Sequence, residues 1–101
     1  MNSKSQEIKQ IITKIDFNKI TNYPEHPKSR TLRQIIGYSK RILDSSDDKE
    51  IFRLSVNIAY NLDIICDPNK AGYVKDEAEK KYWLEISREL FENTVGVKDK
   101  K

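Results

Sequence analysis

Asp67, Asn69 and Gly72 fall at positions 1, 3 and 6 of a calcium-loop pattern, in the stretch DPNKAG. In such a loop oxygen ligands wrap a hard cation, and a bidentate glutamate at position 12 closes the shell. Here position 5 is Ala71 and position 12 is Ala78, so two ligands are lost. Asp-Pro-Asn is also an ordinary turn and helix stop, and that is the reading adopted. His26, the only histidine, sits between Pro24 and Pro27. A general base needs an orienting partner and a nearby nucleophile. The sequence names neither, so an exposed loop histidine is expected. Asp63 and Asp67 lie one helical turn apart, a spacing at which carboxylates can share a proton or a metal. With no further ligand in view they read as solvated carboxylates near a helix end. Cys66 is the single cysteine, and its place on an apolar helix face makes it a small buried hydrophobe rather than a nucleophile. No catalytic residue, metal or cofactor is expected, and no small-molecule substrate.

Two surfaces offer binding rather than chemistry. Arg30, Arg33, Lys40 and Arg41 give one helix a basic outer face, with Tyr38 beside it. Nucleic-acid binding asks for interleaved aromatics and glycines or a helix-turn-helix pair. Neither is read here, so a solvated face is expected and nucleic acid is not the anticipated partner. Trp83, Leu84 and Phe91 form an apolar shoulder on the last helix. Either they close the core against a neighbouring helix, or they are an exposed patch for a partner protein. In the second reading they join Lys75, Lys80, Arg88, Lys98, Lys100 and Lys101 as partner-binding residues, apolar anchors within a cationic surround.

Composition bounds the rest. The chain has 101 residues, 37% hydrophobic and 35% charged, which fits one folded domain, 1–101, rather than disorder. Three glycines and three prolines are too few for a many-turned β-fold. The net charge of +3 arises from 19 basic and 16 acidic side chains, a smaller excess than dedicated nucleic-acid binders carry. Much of it sits in Lys98, Asp99, Lys100 and Lys101. With no signal sequence, no apolar run near 18 residues and one thiol, a cytoplasmic location is expected, with peripheral contact at the inner membrane face left open.

Four amphipathic stretches must position these residues. Ser3 to Asp16 carries Ile8, Ile11, Ile12 and Ile15 at i, i+3, i+4, i+7 spacing, with Ser3 and Gln6 as a capping box. Asn18 to Ser29 is a proline-bearing connection that Ile20 and Tyr23 pin to the core. Arg30 to Asp44, capped by Ser29, clusters Leu32, Ile35, Ile36, Ser39, Ile42 and Leu43. Ile51 to Cys66 has the broadest apolar side, which makes it central, with Arg53, Asn57, Tyr60 and Asn61 facing outward. Ser45 to Asp48 supply its candidate caps. Lys75 to Asn93 follows, with Asp76 and Glu79 as a second capping box, Trp83, Ile86, Leu90 and Thr94 on its inner face, Leu84 and Phe91 on one shoulder and Tyr82 on the other. Gly96 stops it, and residues 97–101 read as a flexible tail. The expected fold is all-α, an antiparallel four-helix bundle, with a three-helix bundle and a loose first helix as the alternative.

The order of parts resembles the small immunity proteins that protect Gram-positive bacteria from their own class II bacteriocins, the enterocin A immunity group in particular. The resemblance spans nearly the whole chain. It rests on a short first helix, a link bearing Tyr23, Pro24 and Pro27, then TLRQIIGYSKRIL, IFRLSVNIAYNLDII, and EKKYWLEISREL ending near Gly96. It implies an antiparallel four-helix bundle without enzymatic activity. The implied partner is a membrane sugar-transporter receptor with its cognate bacteriocin, bound from the cytosolic side, and the C-terminal half carries much of the specificity. Two other classes stay open: a phage or mobile-element regulator that binds nucleic acid through the second helix, and a generic interaction module that oligomerises through the apolar shoulder.

Overall fold

Short polar side chains at the helix starts set the order of elements. The structure is a computed structural model that describes residues 2–95. It has five helices: α1 (Ser3–Ile12), α2 (Phe17–Thr21), α3 (Arg30–Asp44), α4 (Asp48–Cys66) and α5 (Glu77–Thr94). Ser29, Asp47 and Asp76 accept hydrogen bonds from the backbone N–H groups of Leu32, Lys49 and Glu79. These caps satisfy amides that have no partner inside the helix. No strand occurs among the described residues, so the chain is all-α.

The first helix departs from its sequence pattern at both ends. Asn2 rather than Ser3 is the cap, accepting from Ser5 N at 2.8 Å. Ser5 turns inward, fully buried, and its hydroxyl donates to Asp48 Oδ1 at 2.6 Å. The helix then ends at Ile12, short of Asp16. Lys14 N and Ile15 N bond three residues back, to Ile11 O and Ile12 O, which tightens the last turn. Asp16 takes up extended backbone and caps α2 through Asn18 N. The apolar stripe survives the break, because Ile15 still points into the core and α2 adds Ile20. The connection is thus partly helical, which accounts for a fifth element.

α4 is the hub. It packs against α3 and α5 and also touches α1, while α1 reaches α3 and α5 as well. Ile51, Leu54, Ile58, Ala59, Leu62 and Ile65 are fully buried along it. One residue expected on its outer side is inside: Asn61 is buried and donates its amide to Gln34 Oε1 on α3 at 3.2 Å. The polar pair satisfies itself across the helix contact, so burial is tolerated. Gly72 ends the turn after α4 with φ of +60°, where a Cβ would sit 3.3 Å from Pro68 Cα. Val74 N returns to Ile65 O at 3.0 Å and its side chain enters the core. Among the described residues no helix is long and apolar enough to cross a membrane. Gly96 and the tail at 97–101 lie outside the described residues.

Candidate functional site

The register of α5 decides which of its apolar residues face out. Positions four apart stack on one face of a helix, so Lys80, Leu84 and Arg88 form a line, continued one turn later by Phe91. Leu84 is 42% exposed and Arg88 is exposed, whereas Phe91 is half-buried and packs against the core. Together with Ser87, Glu92 and Asp63 of α4, Leu84, Arg88 and Phe91 line a groove of about 350 Å³. The Ser87 hydroxyl lies 3.0 Å from Ala59 O and 2.9 Å from Asp63 Oδ1. A hydroxyl has one proton to donate, so the two acceptors share it, and the contact ties the floor of the groove to α4.

Trp83 lies on the inner face that its wheel position gives it, so its place among the partner-binding residues is the main correction. The residue stands one position before Leu84 yet is 0% exposed. About 100° of helical rotation separates neighbours on the wheel, and here it divides core from surface. The indole Nε1–H donates to Tyr23 Oη at 2.8 Å, and Tyr23 in turn donates to Glu79 Oε1 at 2.7 Å. The Tyr82 ring meets Trp83 edge-on with centroids 4.7 Å apart. Trp83 is therefore a core residue and cannot anchor a partner.

The charges around the groove are corrected too. Lys80 is half-buried and pairs with Glu77 at 3.4 Å. Lys75 is exposed, just before the Asp76 cap. Asp63, Glu85 and Glu92 stand among Lys80, Lys81 and Arg88 along the groove and its continuation. The surround is mixed in sign, not cationic, because α5 alternates acidic and basic residues along its outer face. Lys98, Lys100 and Lys101 lie outside the described residues.

The residues singled out for chemistry are held by local structure. Asp67 accepts from Asn69 N at 2.8 Å, an Asx-type turn that folds its carboxylate into its own loop. Asp63 is engaged by Ser87 instead, so the two aspartates serve different partners. His26 is half-buried rather than exposed, with its backbone N–H donating to Tyr23 O at 2.9 Å. Cys66 is 5% exposed, and burial, helped by the Asp63 carboxylate, pushes its thiol up to about 11. The thiolate that nucleophilic chemistry needs is thereby disfavoured.

Two further grooves lie away from the expected α5 surface. One, of about 450 Å³, lies between the start of α4 and the end of α5, where Phe52, Arg53 and Val56 meet Thr94 and Val95. Phe52 and Val56 are apolar wheel positions, which is the signal that marks them, but only packing shows that they are half-buried at an open end. The other, of about 420 Å³, is on α3: of the basic face read from the sequence it holds Arg30, Arg33, Arg41 and Tyr38, adds Gln34 and Gly37, and leaves out Lys40. No family model, curated protein or solved structure matches the chain.

Proposed function

We propose that this chain is a cytosolic, non-enzymatic immunity protein of the class II bacteriocin type. It protects its producer by binding a membrane transporter receptor together with the cognate bacteriocin. In this reading α1, α3, α4 and α5 are the four members of an antiparallel bundle, and α2 is a helical turn within the proline link. The observation that carries the proposal is the exposed line on α5, where Leu84 and Arg88 flank a shallow groove closed by Phe91. Arginine and aromatic residues are enriched at protein interfaces, and Arg88 and Phe91 bring both to this groove beside the exposed Leu84. The resemblance in the order of parts, from TLRQIIGYSKRIL through EKKYWLEISREL, supplies the class of partner. Leu84, Phe91 and Arg88 remain in the binding set, with Lys75 and Lys80 on its margin.

The test is protection of a sensitive strain that expresses the chain and is challenged with a panel of class II bacteriocins. Leu84→Ser with Arg88→Ser should abolish protection while helicity and melting stay close to those of the parent, because both side chains are exposed. Phe91 is left intact, since its contact with the core would mix folding with binding. Full protection by the folded double variant would show that the anchors are wrong. Absence of protection by the parent against every member of the panel would count against the immunity class.

A further inference from the structure

α3 breaks two local rules at one place. Gly37 lies in mid-helix on the exposed side, where glycine is a poor helix former for want of backbone restraint. A Cβ built there meets nothing within 4 Å, so packing inside this chain does not call for glycine. Arg30 and Arg33 stand in the first turn of α3, where the helix dipole disfavours cations, while α4 and α5 place Asp48, Glu50, Glu77 and Glu79 in theirs.

These oddities converge on the α3 groove. Its lining holds three of the five arginines in the chain, none of the fourteen lysines and no acidic residue. Arginine presents a rigid fork that matches a carboxylate in two-point contact, which lysine does not. Arg41 donates through one terminal nitrogen to the Glu50 carboxylate of α4 at 2.9 Å, a single-point contact that leaves the other donors of its fork for a partner. Arg33 Nε is held by Ser29 O at 3.2 Å, which orients its guanidinium. Arg30 to Arg41 spans eleven residues, roughly 16 Å or three turns.

We infer that this groove docks an acidic helical segment of a partner protein, whose carboxylates engage Arg30, Arg33 and Arg41 while its backbone passes close over Gly37. A bare glycine floor serves the close approach of another backbone. Stacked bases would need aromatic platforms, but Tyr38 stands alone and carries the Arg41 guanidinium 5.8 Å from its ring centroid. α4 separates α3 from α5 in the packing, so the inference stands apart from the reading of the α5 face.

The probe is a fluorescent alanine-based helical peptide with glutamates at i, i+4, i+7 and i+11, titrated with the full chain at low salt. A glutamine version of the peptide, an oligothymidine and phosphatidylserine vesicles are run beside it. The expected result is saturable binding of the glutamate peptide alone. Arg30→Gln with Arg33→Gln, and separately Gly37→Gln, should each weaken it roughly tenfold or more, with circular dichroism unchanged. The Gly37 variant keeps every charge and fills only the floor, so unaltered binding by it would reduce the groove to diffuse attraction and overturn the inference. Equal binding of the glutamine peptide, tighter binding of oligothymidine or vesicles, or no binding at all would overturn it too.

Discussion

Tyr23 shows how much one hydroxyl can hold. It accepts from the buried Trp83 indole and donates to Glu79, and so fastens the proline link to α5. Lys19 lies 3.7 Å from the same glutamate. Burial, then the hydrogen bond to Glu79, raises the phenol well above its ordinary value. The neutral form is thus favoured by folding, so its contribution is complete below about pH 10 and is lost as pH rises beyond it. Tyr23→Phe keeps the ring but leaves the Trp83 N–H without its acceptor. A buried donor stripped of its partner costs about 1–3 kcal/mol, and chemical denaturation at neutral pH should show a loss of that size. A change below about 0.5 kcal/mol, the scale of an ordinary surface substitution, would mean that the Tyr23 hydroxyl does not hold the link to α5.

At the scale of elements, the start of α1 is coupled to the start of α4 through a single carboxylate. Asp48 accepts from the Ser5 hydroxyl at 2.6 Å and from Asn2 N at 3.2 Å. The Ser5 hydrogen bond, then that from Asn2, holds its carboxyl below the ordinary value. The ionised form is favoured by folding. The stabilisation is therefore present above about pH 4 and is lost as pH falls through the lowered folded value. Ser5→Ala removes the larger cause. The Asp48 carboxyl should then titrate closer to an unperturbed aspartate, and the fall of the urea midpoint on acidification should become shallower. Carboxyl NMR titration of parent and variant checks this, and superimposable Asp48 curves would show that the α1–α4 coupling rests elsewhere.

The whole molecule depends on α4, which shares contacts with α1, α3 and α5. Ile58 sits at the middle of that helix with no exposed surface. Ile58→Ala leaves a void walled by packed helices that cannot all move in, and such truncations cost about 2–5 kcal/mol. Equilibrium denaturation followed by far-ultraviolet circular dichroism should show a loss in that range with cooperativity retained. A loss under 1 kcal/mol, small for a buried aliphatic, would mean that the bundle closes around the site and α4 is not its keystone. At this scale the α3 and α5 surfaces are separate, since α4 stands between their helices, and each can be altered without the other.

What the sequence determines by itself is what depends on neighbours along the chain. Helical periodicity, the caps at Ser29 and Asp76, the bounds of α3 and the central place of α4 follow from spacing and side-chain chemistry within a few residues. A wheel gives directions around one axis but not which directions other helices reach. The wheel puts Trp83 on the inner face and Leu84 on its shoulder, but it does not give the partner of the indole N–H, Tyr23 from sixty residues away, nor that the shoulder stays open at Leu84. Asn61 reads as a surface residue until Gln34 meets it across the α3–α4 contact. The stripe through Ile15 reads as one helix, yet Asp16 as the α2 cap divides it, because burial asks only where a side chain points and not that the helix continue. The two candidate surfaces divide in the same way. The α3 groove is lined by one helix, and its arginines and Tyr38 are legible as a basic face, whereas the α5 groove needs Asp63 from α4. Surfaces built from several elements come into being only when those elements pack.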